Sequence, residues 1–357
     1  METEKRLALI KEVGQEIVTE EELHELLSAK SHFVAYDGFE PSGNIHIAQG
    51  IMRSINVNKM AKAGAKFKML VADWHAWANN KLDGNLDNIQ TTGKYMIEVW
   101  KACGMDLDNV EFVWANELVK NEDYWKLVMK MAINNNLKRI IRCSQIMGRA
   151  ESDSLSGAQI IYPCMQAADI FYLKSDVCQL GMDQRKVNML AREVGPKLGF
   201  WKPIVVSHHM LMGLGQPSKT ASAEERAMQM KMSKSNPESA IFMTDTEEMI
   251  NSKIKKAYCP EKIIEENPIM EYCKYIIFEK FDSIKIERPE KYGGNLEIAS
   301  YDELAGTFSK GELHPMDLKT SVASCINKLV QPVREHFEKN KKARELLEQV
   351  LSFNVTR

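Results

Sequence analysis

The chain has 357 residues, of which 44% are hydrophobic and 27% charged, and its formal net charge is −2. A chain of this length and composition can bury a full core and is expected to divide into two domains. The near-neutral charge excludes a protein that coats nucleic acid indiscriminately, because that binding mode needs an excess of Lys and Arg. No run approaches the roughly 18 uninterrupted apolar residues of a membrane span, and the start METEKRLALIKEVGQE is charged. We therefore expect a cytoplasmic protein with no membrane partner.

The cysteines argue for a reducing compartment. There are seven of them, an odd number, and no two lie closer than fourteen positions. That spacing fits neither a disulfide framework nor a zinc site, so we expect free thiols and no protein-bound structural metal. The cysteines are Cys103, Cys143, Cys164, Cys178, Cys259, Cys273 and Cys325.

Taken in chain order, the pattern of apolar residues predicts three regions. Residues 1–30 predict a helical segment. In residues 31–237, short β-rich runs alternate with longer helical patterns such as 86–104, which predicts a doubly wound, Rossmann-like parallel sheet of the α/β class. The β-rich runs are 32–37, 66–72, 110–115, 176–180 and 204–207. Within this region, residues 213–237 are rich in Gly, Ser, Lys and Met and predict a surface loop. Residues 238–357 have apolar positions at helical spacing and predict a smaller α-helical domain.

A glycine-containing turn follows the first of these strands, in the segment YDGFEPSGNIHIAQG. Gly38 and Gly43 would let a ligand approach the backbone, and the start of a following helix offers N–H groups to a phosphate. His46 and Gln49 lie three positions apart, so both side chains would sit on one face of the first helical turn. A strand, glycine turn and helix are also a common structural joint, and on this segment alone that alternative stays open.

Two lysines three positions apart mark the predicted loop. On such a loop, Lys231 and Lys234 could close over a polyphosphate and neutralise charge that grows there in a transition state. A solvated Lys/Ser loop would have the same composition. The nearby GLGQPSKT is close to a P-loop but has Ser218 where the second glycine belongs, so we discount it.

A polar stripe runs along an otherwise apolar helical pattern at residues 159–173. Tyr162, Gln166 and Asp169 stand at i, i+4 and i+7, on one face of a helix. Because the other faces are apolar, this helix is expected to be buried, and its polar groups then need partners. A cavity that holds a polar ligand would supply them. The alternatives are polar groups of a neighbouring element or a narrow exposed face.

Together these segments resemble the class I aminoacyl-tRNA synthetases, and specifically the archaeal and eukaryotic type of tyrosyl-tRNA synthetase. Residues 231–235 read KMSKS, a signature of the class, and His46-Ile-Ala-Gln49 occupies the position of its HIGH signature. The resemblance covers nearly the whole chain. The other segments that resemble family blocks, in the family's order, are YDGFEPSG, IYPCMQAADI, LGMDQRKVNMLARE, KIKKAYCP, RPEKYGG and ELHPMDLK.

The resemblance implies an enzyme, a tyrosine–tRNA ligase, that activates L-tyrosine with ATP and Mg²⁺ and transfers it to the 3′ end of tRNA(Tyr). It implies that the catalytic domain is 31–237. Tyr36 and Asp169 would hold the phenol hydroxyl. The α-ammonium end would lie at Tyr162, Gln166 and Gln184. Phenylalanine would be excluded, because it would leave buried groups built for a hydroxyl without a partner.

The resemblance also assigns the ATP site. Its catalytic residues would be His46, Lys231 and Lys234, which would stabilise charge on the phosphates. The full set for ATP is Gly38, Gly43, His46, Gln49, Lys231, Ser233 and Lys234. Gln49 departs from the family pattern, because it replaces the second histidine of HIGH, and Ala48 replaces the glycine. A glutamine keeps an N–H donor but cannot carry charge.

The carboxyl-terminal blocks imply that 238–357 is an anticodon-binding domain. Tyr292 and His314 would stack on an unpaired base, and Asp317 would accept from a guanine edge. From the residues alone, Tyr292 could be a core aromatic, and His314 with Asp317 could form a helix-capping turn.

The resemblance also implies a homodimer. Three alternative functions stay open. A tryptophanyl-tRNA synthetase shares the architecture and both signatures, but indole presents a lone N–H, which disfavours it for a site with Tyr36 and Asp169. A catalytically inactive tRNA-binding paralogue is favoured by the altered HIGH position. A small nucleotidyltransferase would lack the carboxyl-terminal blocks.

Overall fold

The structure, a computed structural model, describes residues 1–148, 154–217, 232 and 236–354. Within these ranges a central sheet is flanked by helices, and the carboxyl-terminal part is mainly helical. The predicted doubly wound α/β fold with a helical carboxyl-terminal region is confirmed. No helix of the described residues is long and apolar enough to cross a membrane.

The central sheet has six strands. They are β1 (Gly14–Val18), β2 (Phe33–Phe39), β3 (Ala65–Val71), β4 (Val110–Trp114), β5 (Val177–Cys178) and β6 (Ile204–His208). Their order across the sheet is β1-β6-β5-β2-β3-β4. All neighbours are parallel except β1, which pairs antiparallel with β6 at the edge. The strand order reverses between β2 and β5, and in such sheets ligands bind beside the carboxyl ends of the two strands at that point.

Strand β2 shows how the sequence places its side chains. Successive residues of a strand point to opposite faces of the sheet. Phe33 and Ala35 pack into the apolar cluster on one face, and Tyr36 packs into the cluster on the other face. The second cluster also contains Tyr162, so the pleat of β2 aims Tyr36 at the helix with the polar stripe.

Helices cover both faces of the sheet. Before residue 218 they are α1 (Thr3–Val13), α2 (Glu20–Ala29), α3 (Arg53–Lys62), α4 (Asp73–Ala78), α5 (Leu86–Ala102), α6 (Ala115–Leu118), α7 (Glu122–Ile133), α8 (Leu137–Cys143), α9 (Gly157–Tyr172) and α10 (Arg185–Val194). Helix α9 carries the predicted polar stripe. It begins at a capping box, in which Ser156 and Gln159 satisfy each other's backbone N–H groups.

Residues 236–354 contain five further α-helices and a two-stranded antiparallel sheet. They are α11 (Glu247–Lys256), α12 (Pro268–Tyr272), β7 (Ile284–Ile286), β8 (Leu296–Ile298), α13 (Tyr301–Lys310), α14 (Pro315–Lys339) and α15 (Lys341–Ser352). Helices α14 and α15 pack against α5. There the rings of Tyr95 and Phe337 lie 5.4 Å apart, and His336 Nε2 lies 2.8 Å from Glu98 Oε2. The boundary at residues 237 and 238 stays a prediction.

The first 30 residues differ from the helical segment predicted for them. They contain helices α1 and α2, but residues 14–18 between the helices form strand β1. This run of five residues has no clear period of its own. It is a strand because its backbone pairs with β6, in the register Ile17 to Val206, and such a long-range partner leaves no local signal.

Candidate active site

A cavity of about 370 Å³ opens at the carboxyl ends of β2 and β5, where the strand order reverses. Five of its lining residues were predicted to bind tyrosine. They are Tyr36, Tyr162, Gln166, Asp169 and Gln184. Tyr36 comes from β2, the next three from α9, and Gln184 from the turn before α10. The structure therefore brings all five into one cavity, although Tyr36 is far from the other four in the sequence.

The carboxylate of Asp169 is fully buried and is held from two sides. The Tyr124 hydroxyl donates to Oδ1 at 2.8 Å, and His75 Nε2 lies 3.0 Å from Oδ2. Burial alone would lower the pKa of His75, but the adjacent carboxylate outweighs it and raises that pKa. His75 is therefore suited to be a cation beside Asp169, and it lines the cavity as well.

Tyr36 and Asp169 line the same cavity, and the Tyr36 hydroxyl also has Gln166 as a hydrogen-bond partner. Burial raises the pKa of the Tyr36 hydroxyl well above its usual value, and the charge of Asp169 raises it further. The phenol therefore stays protonated and can act as a hydrogen-bond donor. Together Tyr36 and Asp169 offer a donor and an acceptor to the same region of the cavity, which matches what a phenol hydroxyl needs.

The other polar side chains of α9 have protein partners too. Gln166 Nε2 donates to Gln184 Oε1 at 3.0 Å, and Gln184 Nε2 donates to the carbonyl oxygen of Ile146 at 3.1 Å. The ring of Tyr162 meets His75 edge-on, with centroids 5.1 Å apart. Both interpretations of the stripe are therefore right in part: it lines a cavity and also contacts polar groups of neighbouring elements.

The HIGH-like segment forms another wall of the same cavity. Gly38, His46 and Gln49 are among the described lining residues, and Gly43 is not. Gly43 has φ = +116°, a conformation that favours glycine, so it shapes the turn. The backbone after His46 is a short π-helical turn, Ala48–Met52, that continues into α3. Gln49 holds this turn through its carbonyl oxygen, which accepts from Trp100 Nε1 at 2.8 Å.

The predicted phosphate-binding residues of the KMSKS segment, Lys231, Ser233 and Lys234, lie outside the described residues. Met232 is described, lines the cavity and packs against the main core. Met232 is the residue of the signature that the structure describes, and it borders the cavity.

A buried polar network lies under the cavity floor and was not predicted. Arg53 Nε lies 3.2 Å from Asp37 Oδ2, and the Arg53 guanidinium also donates to the side chain of Gln179. His208 Nδ1 lies 3.2 Å from Arg53 Nη1 and 3.0 Å from Gln179 Nε2. Burial raises the pKa of Asp37 to about 6, although Arg53 opposes that shift. Asp37 and His208 both reach the cavity, and so does Asp183.

The predicted anticodon residues lie in the carboxyl-terminal part. Tyr292 is 61% exposed, so the alternative of a core aromatic is wrong. His314 precedes α14 as its cap, with Nδ1 accepting the backbone N–H of Met316 at 3.2 Å. Asp317 follows in the first turn of that helix. Arg288 Nη1 donates to the carbonyl oxygen of Glu312 at 2.7 Å, which ties the loop of Tyr292 to the segment before His314.

The described residues contain no group of three or more His, Cys, Asp or Glu that could hold a metal ion. None of the seven cysteines is in a disulfide.

Comparison with known proteins points to one family. Residues 28–331 match the family described as tRNA synthetases class I (W and Y). Cytoplasmic tyrosine–tRNA ligase 1 of Arabidopsis thaliana is 53% identical over 359 residues, a match that covers 100% of this chain and 90% of that protein.

Solved structures superpose on nearly the whole chain. Tyrosyl-tRNA synthetase of Pyrococcus horikoshii, complexed with L-tyrosine, is 38% identical with a TM-score of 0.91, and the match covers 98% of this chain and 100% of that one. Leishmania major tyrosyl-tRNA synthetase, in complex with tyrosinol, is 42% identical with a TM-score of 0.90. That match covers 99% of this chain but 52% of the Leishmania chain, so this protein spans about half its length.

Proposed function

The chain belongs to the class I tRNA synthetases for tryptophan and tyrosine, and from this membership we propose that it is a tyrosine–tRNA ligase of the archaeal and eukaryotic type. It activates L-tyrosine with ATP to tyrosyl-adenylate and pyrophosphate. It then transfers the tyrosine to the 3′ end of tRNA(Tyr) for translation in the cytoplasm.

One observation carries the choice of tyrosine. Asp169 is buried in the cavity, where Tyr124 donates to its Oδ1 and His75 Nε2 lies 3.0 Å from its Oδ2, and the buried Tyr36 hydroxyl in the same cavity stays protonated. A phenol hydroxyl can donate to Asp169 and accept from Tyr36. Phenylalanine would offer neither Tyr36 nor the remaining lone pairs of Asp169 a hydrogen bond, and the single N–H of indole could donate to Asp169 but could not accept from Tyr36.

The α-ammonium end of tyrosine then lies at Tyr162, Gln166 and Gln184. The oxygen of Gln184 accepts from Gln166, and its own amide N–H is held by Ile146. Both glutamines are therefore fixed in orientation. Oriented amide and hydroxyl oxygens accept from an ammonium group, which leaves the carboxylate of the substrate directed toward the HIGH-like wall.

ATP occupies the side of the cavity lined by Gly38, His46 and Gln49, and Gly43 shapes the turn that carries this wall. Lys231, Ser233 and Lys234 join it from the KMSKS segment. His46 donates to a phosphate, and the two lysines balance the charge on the leaving pyrophosphate. Mg²⁺ enters bound to the ATP phosphates.

The reaction proceeds by two displacements. The tyrosine carboxylate attacks the α-phosphorus of ATP in line, and the bond to the bridging oxygen breaks to release pyrophosphate. The terminal ribose hydroxyl of tRNA then attacks the carbonyl carbon of the mixed anhydride and releases AMP. The protein supplies position and charge stabilisation, and no residue forms a covalent bond to the substrate.

The tRNA is recognised at the carboxyl-terminal part by Tyr292, His314 and Asp317. Exposure of Tyr292 leaves its ring available to stack on an unpaired base. The His314 ring is also exposed. Asp317 provides a carboxylate that accepts from a guanine edge.

A homodimer is supported by a group of exposed apolar side chains. Met129 and Ile133 lie one turn apart on α7, and Ile133 is 76% exposed. Leu137 on α8 and Ile161 on α9 are exposed as well, and both α7 and α8 pack against α9. A second copy of the chain would cover such a patch with the same surface.

The test of this function is ATP–pyrophosphate exchange with tyrosine, phenylalanine or tryptophan as the amino acid. We expect exchange with tyrosine alone, and strong loss in Asp169→Ala. The control is Lys342→Ala, on the surface of α15. Lys186→Ala would not be suitable, because the Lys186 ammonium group donates to Gln145 near the cavity. Exchange with tryptophan would assign the other amino acid of the family. No exchange with any amino acid would favour the inactive tRNA-binding paralogue, to which the altered HIGH position points.

A further inference from the structure

A buried lysine contacts the turn that pairs with the HIGH-like segment. Lys253, on α11, is 3% exposed, and a buried ammonium group needs partners for its N–H donors. Its Nζ donates to Asp245 Oδ2 at 2.6 Å and to the carbonyl oxygen of Ala240 at 3.0 Å. It also lies 4.9 Å from the centre of the Phe242 ring, a contact that is favourable for a cation. All three contacts fall within residues 240–245.

Asp245 folds this segment into a fixed turn. Its Oδ2 accepts the backbone N–H of Phe242 at 2.9 Å, and its own N–H donates to the carbonyl oxygen of Phe242 at 3.1 Å. From the opposite side, Arg334 on α14 donates to the carbonyl oxygen of Asp245 at 3.2 Å. Side chains of two helices therefore hold the turn, and both are attached to it at Asp245.

The same turn hydrogen-bonds to the backbone on both sides of His46. The N–H of Ile47 donates to the carbonyl oxygen of Ile241 at 2.8 Å, and the N–H of Met243 donates to the carbonyl oxygen of Ile45 at 2.8 Å. These two bonds flank His46, whose backbone pairs with that of Phe242 in an antiparallel bridge. The position of His46 in the cavity wall is thus set by residues 241–243.

Packing links the turn to the rest of the HIGH-like segment. A Cβ atom placed on Gly50 would lie 2.6 Å from Cγ of Met243 and 2.7 Å from its sulfur. That is closer than real carbon atoms approach, so Met243 occupies the space in which a side chain at residue 50 would lie. Met243 therefore packs directly against the π-helical turn that carries Gln49.

We propose that Lys253 and Asp245 are positioning residues for the nucleotide side of the active site, acting through His46. The inference rests on the proposed function, in which His46 contacts the phosphates of ATP. A buried ion pair is seldom more stabilising than well-packed apolar residues of the same volume. The role of this pair is to fix geometry. Its hydrogen bonds hold the turn of residues 240–245, and that turn hydrogen-bonds to the backbone on both sides of His46.

The test compares Lys253→Met and Asp245→Asn with the wild type in tyrosine-dependent ATP–pyrophosphate exchange. Both replacements keep the volume and remove the ion pair. We expect kcat to fall by about tenfold or more, while KM for tyrosine changes by less than about twofold, since the tyrosine side is built on β2 and α9. Lys256→Met is the matched control, because Lys256 lies on the same helix but is exposed and paired with Glu238 at 3.1 Å.

A second comparison separates positioning from simple loss of stability. If Lys253 acts through His46, then Lys253→Met added to His46→Ala causes little further loss of kcat, so the two effects are non-additive. Fully additive losses would overturn the inference, and so would folded single variants with wild-type kcat. If Lys253→Met does not fold, Asp245→Asn is compared with the wild type and combined with His46→Ala in the same way, and its result decides the inference. A wild type without any exchange would overturn the proposed function itself, and this inference with it.

Discussion

In the proposed tyrosine site, the carboxylate of Asp169 sets specificity together with the residues that contact it. Tyr124 and His75 contact its two oxygens from α7 and α4, so its remaining lone pairs have a fixed direction. In the proposed site, a carboxylate held at Oδ1 by Tyr124 accepts the substrate hydroxyl from a restricted set of directions. Discrimination then depends on the two supporting residues as well as on Asp169, because they prevent it from turning toward another partner.

We expect Tyr124→Phe to weaken both the fold and tyrosine binding. The change removes the donor to Asp169 Oδ1 and leaves that oxygen buried without it, which costs about 1–3 kcal/mol of unfolding free energy. Urea unfolding would measure that loss, and exchange kinetics would show a raised KM for tyrosine. Tyr172→Phe is the control, since the Tyr172 ring packs edge-on against Tyr124 but does not donate to Asp169. Unchanged KM and stability in Tyr124→Phe would contradict this role.

His208 makes stability depend on pH. Burial and the charge of Arg53 hold its pKa well below the usual value. In the unfolded chain a histidine takes up a proton below about pH 6.5, whereas the folded chain resists it. The stabilisation from neutral His208 is therefore fully present above that pH and is lost as the pH falls. The raised pKa of Asp37 acts in the opposite direction, because the folded chain binds that proton more tightly.

The effect of His208 is measured as a difference between wild type and His208→Gln. Between pH 7.5 and 5.5, we expect the unfolding free energy of the wild type to fall by about 1.4 kcal/mol more than that of the variant. Urea unfolding at the two pH values provides both quantities, and Asp37 contributes to both proteins. Equal falls in the two proteins would show that His208 is protonated as readily in the folded state as in the unfolded chain.

The spacing of residues alone found the part of the site that lies on one helix, the family resemblance added Tyr36 and Gln184 from other elements, and Tyr124 and His75 were missed. Tyr162, Gln166 and Asp169 stand on one helix, so their spacing alone brought them together. Tyr124 comes from a different helix, and nothing local distinguishes it from a core aromatic. His75 was detectable in principle, because it lies just after β3, at the end of the strand where parallel sheets present functional side chains.

The same distinction holds for whole elements. The five parallel strands were predicted to within a few residues, because buried parallel strands read as short apolar runs separated by helical patterns. Strand β1 was not predicted, since it exists only through its pairing with β6. The packing of α14 and α15 on α5 was also out of reach, because it joins surfaces far apart in the chain and has no signature in either helix alone.

Packing between α14 and α5 predicts a large effect of Phe337→Ala. Phe337 is buried against Tyr95, whose hydroxyl donates to the side chain of Asn44 near the HIGH-like segment. Removing the ring leaves a cavity, and we expect the unfolding free energy to fall by about 3–5 kcal/mol. Thermal or urea unfolding would measure it. Phe353→Ala is a milder comparison, since Phe353 is only partly buried at the end of α15. A loss below about 1 kcal/mol would mean that the two helices separate easily.

For the molecule as a whole, the exposed patch on α7, α8 and α9 predicts its state of association. Ile133→Asp places a charge in the centre of the proposed dimer contact, and burying an unpaired carboxylate is strongly unfavourable. We expect the wild type to sediment as a dimer and the variant as a monomer in analytical ultracentrifugation. Leu107→Asp is the control, because Leu107 is equally apolar and 46% exposed but lies after α5, outside the patch. A monomeric wild type would contradict the dimer.

The position of β1 has a consequence for synthesis on the ribosome. Gly14 pairs with His208, so the first strand to leave the exit tunnel joins the sheet next to the last of its strands to be made. While β2, β3 and β4 are being translated, residues 14–18 have no partner, and the outer edge of the sheet cannot be completed. Because translation adds about 5–20 residues per second, this interval lasts roughly ten seconds or more. Closure of the sheet is therefore a late event in the life of the nascent chain, and it brings His208 to the cavity wall at the same time.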